Sequence, residues 1–288
     1  MAMKLSRVYI EITNVCNLAC SFCPGTKRTP AFMTPEQFES VCRRIRPHTA
    51  EIYLHVMGEP LAHPALDRLL SIAKECDLTV NITTNGTLLG KRKELLLSHA
   101  KTIKKVSVSL HSLEGNEKQG SQDEYFDTVL NFSAEAAKRG IFTALRLWNL
   151  DSAERDGENS ENGEILERIR RVYPEPWQRR YTGWRIGERV FVECAEIFTW
   201  PVESKAAPKE CGRCHGLIDQ TAVLVDGTVV PCCLDSEGEI ALGNLYENEL
   251  CEILSDRRAQ KMREGLLHGR FTEPLCQKCT YANRFQNK

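Results

Sequence analysis

Thirteen cysteines in 288 residues carry most of the chemistry that can be read from this sequence. Three fall within one short segment, Cys16-Asn-Leu-Ala-Cys20-Ser-Phe-Cys23-Pro. A loop that short can bring three thiolates to one metal centre. A cubane [4Fe–4S] cluster has four irons, so three ligands leave one iron with an open position unless a fourth cysteine arrives. An open iron can chelate a small molecule. The plainer readings are a ferredoxin-type cluster with its fourth thiolate elsewhere, or zinc, and neither favours this spacing. A second group lies near the C-terminal end: Cys211-x2-Cys214, Cys232-Cys233 and Cys276-x2-Cys279. On one of two competing readings, Cys211, Cys214, Cys276 and Cys279 form a zinc-ribbon-like site, two knuckles closing a long loop. Cys42, Cys76 and Cys251 read as small hydrophobes on or beside helices. Cys194 and Cys233 are spare thiols.

These residues need elements to hold them. Val8–Thr13, Glu51–Val56, Leu78–Thr83, Lys105–His111 and Phe142–Trp148 read as strands, and Arg189–Phe198 fits a sixth. Helical patterns alternate with them. Thr34-Pro35-Glu36-Gln37 supplies an N-cap, a proline at the first helical position and a capping-box glutamine. Phe38, Val41, Cys42 and Ile45 then make one apolar face. Pro64 opens a second helix, Lys91–Ala100 and Tyr125–Arg139 give two more, and Gly163–Val172 a fifth. This alternation means parallel βαβ units, in an open doubly wound sheet or part of a barrel. The polar stretch Asp151–Asn162 follows the fifth strand and reads as a mobile loop and candidate lid. Beyond Pro201 the texture changes: a linker-like Lys205-Ala-Ala-Pro-Lys-Glu, a hairpin turning at Asp226-Gly227, and one helix over Tyr246–Arg263. The expected boundary lies near residue 200, giving domains 1–200 and 201–288.

Composition excludes several classes. Thirty-eight Lys and Arg against 39 Asp and Glu give a net charge of −1, without the basic excess of a nucleic-acid or membrane-surface binder. No apolar run approaches the roughly 18 residues of a membrane span. Glu11 interrupts any signal-peptide core near the start, so the expectation is a cytoplasmic protein. In a reducing compartment, clustered cysteines mean metal or catalysis rather than a disulfide framework.

Cys-x3-Cys-x2-Cys directly after a first strand resembles the radical S-adenosylmethionine (SAM) superfamily, with Phe22 at the aromatic position before the third cysteine. Met57-Gly58-Glu59-Pro60, closing the second strand, resembles the family's Gly-Gly-Glu-Pro segment, with Met57 in place of its first glycine. Thr84-Asn85-Gly86 resembles the family's Thr-Asn-Gly turn near SAM. The resemblance implies a partial (β/α)6 TIM-like barrel, with SAM's amino and carboxylate groups on the open iron of a cluster held by Cys16, Cys20 and Cys23. It assigns Phe22, Gly58, Glu59 and Asn85 to SAM, with Ser109 and His111 at the end of the fourth strand and Arg146 on the fifth as further contacts. Cys214, then twelve residues, Gly227, four residues and Cys232 resembles the opening of the family's SPASM/twitch extension. On that likeness Cys214, Cys232, Cys276 and Cys279 hold a second, auxiliary [4Fe–4S] cluster in a small C-terminal domain of hairpin plus helix, with Cys211 able to replace Cys214.

The implied activity is reductive cleavage of SAM to a 5′-deoxyadenosyl radical that abstracts a hydrogen atom from substrate. The ligand order resembles that of small aminocyclitol dehydrogenases, which points to oxidation of a sugar or aminocyclitol with the auxiliary cluster taking the electron. Peptide maturation is the alternative, although a first strand beginning near residue 8 leaves no room for an N-terminal peptide-recognition module. Redox-neutral epimerisation is another, with Cys194 as hydrogen donor if it points into the barrel mouth. The expected partners are a flavodoxin- or ferredoxin-type electron donor and a small-molecule or peptide substrate, with no nucleic acid and no membrane.

Overall fold

The computed structural model describes residues 3–113, 122–150 and 160–285. Strands and helices run β1 (Arg7–Ile10), α1 (Pro35–Ile45), β2 (Glu51–Tyr53), α2 (Leu66–Glu75), β3 (Thr79–Thr84), α3 (Leu89–Ser98), β4 (Ile103–Ser109), α4 (Gln122–Lys138), β5 (Phe142–Leu150) and α5 (Ser160–Val172). They continue as β6 (Gln178–Arg180), β7 (Gly183–Gly187), β8 (Val190–Glu196), β9 (Gln220–Val223), β10 (Thr228–Val230), β11 (Gly243–Asn244), α6 (Leu250–Ser255), α7 (Arg257–Leu267) and α8 (Pro274–Gln277). Packing divides the chain into two units. One comprises Met1–Asn17, Phe22–Val80 and Phe198–Lys288; the other comprises Leu18–Ser21 and Asn81–Ile197. The cut at residue 80 falls inside β3.

In the first unit, β1 pairs in parallel with β2 on one side and with β9 on the other, Arg7 to Ile10 lying opposite Gln220 to Val223. β9, β10 and β11 then follow as antiparallel neighbours. The turn at Asp226-Gly227 is the expected one, with Gly227 at φ +86°. α1 starts as the sequence dictates: Thr34 Oγ1 accepts from Gln37 N, Gln37 Oε1 accepts from Thr34 N, and Pro35 needs no partner for the N–H it lacks. Phe38, Val41, Cys42 and Ile45 are fully buried, and each large side chain among them contributes about 1.5–3 kcal/mol.

In the second unit, β4, β5 and β8 are parallel neighbours, and β7 and β6 continue from β8 as an antiparallel hairpin. β8 is the expected sixth strand; the β6–β7 hairpin was not expected. The helix expected over Tyr246–Arg263 is two helices. Asp256 ends α6 in an extended conformation (φ −60°, ψ 150°), and its carboxylate accepts from Arg258 N as the N-cap of α7. The lid expected over Asp151–Asn162 falls largely outside the described residues, and its last residues begin α5. Among the described residues, no helix is long and apolar enough to cross a membrane.

Candidate iron–sulfur and SAM site

The loop bearing Cys16, Cys20 and Cys23 is stapled at its base. Thr13 Oγ1 donates to Ala31 O (2.8 Å) and accepts from Val15 N (3.0 Å); Asn14 Nδ2 donates to Thr29 O (2.9 Å), while its Oδ1 accepts from Ala31 N (2.8 Å). The backbone between residues 15 and 29 is thereby held out as one excursion. Cys16 is exposed, and Cys20 and Cys23 are half-buried. Burial raises the Cys23 thiol and the nearby Glu203 adds to this, while the Gly25 backbone lowers it. In the second unit, Cys20 Sγ donates to Ser112 O at 3.5 Å. Phe22 is 37% exposed.

Met57–Glu59 lies against the start of this loop. Gly58 has φ +75°, and a Cβ there would sit 2.4 Å from Thr13 O and 2.9 Å from Val15 O, so the close approach requires glycine. Glu59 N donates to Val15 O (2.9 Å), one residue before Cys16. The buried Glu59 carboxylate accepts from Leu61 N and so caps the short 3-10 turn Pro60–Ala62.

Glu11, with no exposed surface, stands just past β1. Arg28 grips it with two parallel bonds, Nη1 to Oε2 (2.7 Å) and Nη2 to Oε1 (2.6 Å). Oε1 also accepts from Met57 N (3.2 Å) and Oε2 from Val225 N (3.0 Å). Burial opposes the Arg28 charge, but Glu11, helped by Asp226 and Glu237, more than offsets it and raises the guanidinium pKa. No motif announced this pair. Its sequence signal is a lone acid at the end of an apolar strand.

In the second unit, Asn85 follows β3. Its Oδ1 accepts from Thr87 N and Oγ1, and its backbone oxygen accepts from Tyr125 OH (2.9 Å). Ser109 ends β4, whereas His111 lies in the 3-10 turn Leu110–Leu113 rather than on the expected strand. His111 Nδ1 is 3.2 Å from Arg146 O and 3.4 Å from Trp148 N. Burial pushes its pKa down to about 4, the hydrogen bond to Arg146 O works against this, and the Arg146 charge adds to the lowering. Arg146 Cζ sits 3.4 Å from the Trp148 ring centroid.

Strand register places Cys194. Adjacent paired residues in a sheet point to the same side, so the pairings Ser109↔Arg146 and Arg146↔Glu193 put Ser109, Arg146 and Glu193 on one face. Cys194 pairs with Leu147, on the opposite face, together with Val192 and its partner Trp184. Trp184 lines a cavity of about 330 Å³ with Leu166 and Arg170 of α5. Cys194 therefore lies on the α5 side, on the face opposite that of Ser109 and Arg146. Burial raises its thiol to about 11.

Around the C-terminal cysteines, burial is the first cause raising the thiols of Cys214, Cys232, Cys276 and Cys279. Neighbouring thiols raise three of them further: Cys214 acts on Cys232, Cys276 and Cys279, Cys233 and Cys276 also act on Cys232, and Cys279 acts on Cys276. Cys211 is exposed, and its backbone bridges Arg270. Among the described residues, no three His, Cys, Asp or Glu side chains converge at single-ion spacing. Electrostatic reach is longer than a shared bond to one ion, so both observations hold together. Four clustered thiols are an all-sulfur donor set of the kind that holds an iron–sulfur cluster or zinc. Cys23 and Cys233 pack against one apolar cluster, Tyr9, Val56, Met57, Ala222, Leu224 and Val230.

A parallel βα sheet with three thiols on the loop after its first strand, and a thiol-rich extension paired to that strand, defines an iron–sulfur α/β protein. The radical SAM superfamily model matches residues 10–152, and a model described as an iron–sulfur cluster-binding domain, SPASM, matches residues 211–280. The chain belongs to the radical SAM superfamily and carries a SPASM-type domain; its cofactors are SAM and [4Fe–4S] clusters, an auxiliary one included. A probable GTP 3′,8-cyclase of Methanocella arvoryzae is 31% identical over 113 residues, which cover 38% of this chain and 36% of that protein. The chain thus matches little more than a third of that curated relative's length. The sporulation killing factor maturation protein SkfB of Bacillus subtilis is 21% identical over 275 residues, 88% of this chain and 66% of that protein. A crystal structure of BtrN in complex with AdoMet and 2-DOIA superposes with a TM-score of 0.64 at 19% identity, covering 97% of this chain and 94% of that one. At that identity the likeness concerns the fold, a partial TIM-like barrel with a C-terminal cluster domain.

Proposed function

We propose that this radical SAM enzyme oxidises a polar small molecule, such as a sugar or aminocyclitol, with the auxiliary cluster as electron acceptor. Residues 1–200 serve as the radical SAM core and 201–288 as the auxiliary-cluster domain. The observation that carries the reading is the pairing of two thiol sets. Cys214, Cys232, Cys276 and Cys279 lie within electrostatic reach of one another, with Cys233 beside Cys232, and so can supply four thiolates, while the loop after β1 offers three. Four ligands saturate a cubane, which suits electron transfer; three leave an iron open for SAM. When bound, the reduced core cluster and SAM supply the 5′-deoxyadenosyl radical that takes the substrate hydrogen. Net oxidation removes two hydrogens from substrate, one as an atom to the 5′ carbon and one as a proton with an electron for the acceptor.

The roles of the chain's own residues follow from their placement. Cys16, Cys20 and Cys23 hold the core cluster. The Gly58–Glu59 backbone, pressed against residues 13–15, faces the SAM methionine end, and Phe22 flanks the third ligand. Asn85, Ser109, His111 and Arg146 serve the nucleoside or the substrate. His111 acts as a neutral group, because burial keeps it unprotonated. The face shared by Ser109 and Arg146 carries Lys105, Ser107 and Glu193 together with Phe142, Ala144 and Phe191, whereas the other carries Thr143 and Cys194 among Val106, Val108, Leu145, Leu147, Val190 and Val192. The polar groups Ser109, Arg146 and Glu193 toward the strand ends suit a hydroxylated substrate. The near end-to-end correspondence with BtrN, solved with AdoMet and 2-DOIA, supports a small ligand.

Peptide maturation is the second reading, favoured by the 88% of this chain that aligns with SkfB. The test is anaerobic reconstitution followed by dithionite and SAM. About eight irons per chain and release of 5′-deoxyadenosine are expected. Fully loaded protein that releases none ends the radical reading. Candidate polyols and peptides then divide the two substrate classes by which one yields product in step with 5′-deoxyadenosine.

A further inference from the structure

Three separate stretches of the first unit meet at the Glu11 carboxylate. Arg28 lies five residues beyond Cys23 on the cysteine loop. Met57 opens the segment pressed against the start of that loop. Val225 precedes the turn of the β9–β10 hairpin, whose far end leads into Cys232 and Cys233. Arg28 Nε reaches a fourth stretch, donating to Ser236 O at 2.9 Å, and Lys27 N lies 3.3 Å from both Glu237 carboxylate oxygens. One oxygen of Glu11 serves Met57 and the other serves Val225. A carboxylate is a rigid plane, and here both lone-pair directions of each oxygen are occupied. Displacing Met57 N therefore tilts the plane against Val225 N and Arg28. Glu11 is fully buried and the Arg28 side chain is 15% exposed, so solvent screens the pair only weakly.

We propose that Glu11 and Arg28 are a positioning pair that couples occupancy of the SAM site to the loop bearing Cys232 and Cys233. The proposal rests on the reading of Met57–Glu59 as the segment facing SAM. Binding that fixes the Met57 backbone stiffens the Val225 and Ser236 stretches through the shared carboxylate. By linkage, an ordered auxiliary loop tightens SAM binding by the same factor. Glu11 supplies geometry that a neutral amide cannot reproduce, since glutamine offers one acceptor and one donor where two N–H groups require two acceptors.

Hydrogen exchange on the reconstituted full chain, with and without SAM, tests this. In the wild type, SAM is expected to slow exchange together at residues 55–60, 224–228 and 234–238. Arg28→Gln should keep protection at 55–60, lose it at the other two segments, and weaken SAM binding about tenfold; Arg28→Lys should fall between. In a double-mutant cycle, Cys276→Ala should weaken SAM binding in the wild type and not in Arg28→Gln. Protection confined to 55–60 in the wild type overturns the proposal. So does an Arg28→Gln variant that retains all three protected segments and SAM affinity within twofold, whatever its melting temperature. Should Arg28→Gln fail to load iron, the wild-type pattern and Arg28→Lys decide alone. A wild type in which SAM protects no segment overturns instead the reading of Met57–Glu59 on which the proposal stands.

Discussion

Gly58 and Gly25 both have positive φ, +75° and +63°, but different surroundings. A Cβ on Gly25 meets nothing within 4 Å, whereas on Gly58 it meets two carbonyl oxygens inside 3 Å. Gly25→Ala therefore costs only the left-handed backbone, about 1 kcal/mol. Gly58→Ala adds a clash that only backbone movement of residues 13–15 or 57–59 relieves, for a total of about 3 kcal/mol or more. Melting temperatures should fall clearly further for Gly58→Ala, and its SAM affinity should drop while that of Gly25→Ala holds. Equal losses for the two would remove the steric argument. His111 gives a pH signature. With a folded pKa of about 4, the folded protein binds fewer protons than the unfolded chain between about pH 4 and 6.5. Stability is thus unaffected by this group above about 6.5 and is lost progressively as pH falls, by up to about 3 kcal/mol near pH 4. Between pH 7 and 5, His111→Gln should lose less melting temperature than the wild type, even if it starts lower. An identical slope would mean that the folded and unfolded states bind the His111 proton equally, so that burial does not lower its pKa.

At the scale of elements, what was legible in the sequence depended on whether local chemistry and burial agreed. α1 was readable because capping box, proline and apolar stripe all point to one start. The cysteine loop was readable because spacing alone carries its meaning. The β6–β7 hairpin was not: all three residues of β6, Gln178-Arg-Arg, are exposed, so no alternation of apolar and polar residues marks the strand. The break at Asp256 was hidden because buried Ile253, Ala259, Met262 and Leu266 continue an apolar face across it. An aspartate one residue before a helical run was the available cue. Cys194 was undecidable before register was known, since a shift of one residue exchanges the faces of a strand. The Cys-x2-Cys spacing alone did not choose between Cys211 and Cys214. The pattern Cys214-x12-Gly227-x4-Cys232 pointed to Cys214, and the burial of its thiol beside those of Cys232, Cys276 and Cys279 agrees with that choice.

At the scale of the molecule, residue 200 separates two textures of sequence, while packing within the first unit ignores that boundary. β9 lies along β1 over four paired residues, and Val225 completes the shell of Glu11. A chain ending at residue 200 would leave one edge of β1 unpaired and open to other chains. It would also leave Glu11 short of one of its donors. Such a truncation is expected to elute as aggregate in size-exclusion chromatography and to bind little iron at the first loop. The contrasting variant is full-length Cys276→Ala, which keeps β9 in place and removes one auxiliary ligand. It should remain monodisperse and load the core cluster, and it should still release 5′-deoxyadenosine while losing oxidised product. A soluble, SAM-cleaving fragment 1–200 would show that β1 tolerates an open edge and that the C-terminal residues serve their own cluster alone. Loss of 5′-deoxyadenosine in Cys276→Ala would instead make the auxiliary cluster necessary for SAM cleavage rather than for receiving the substrate's electron.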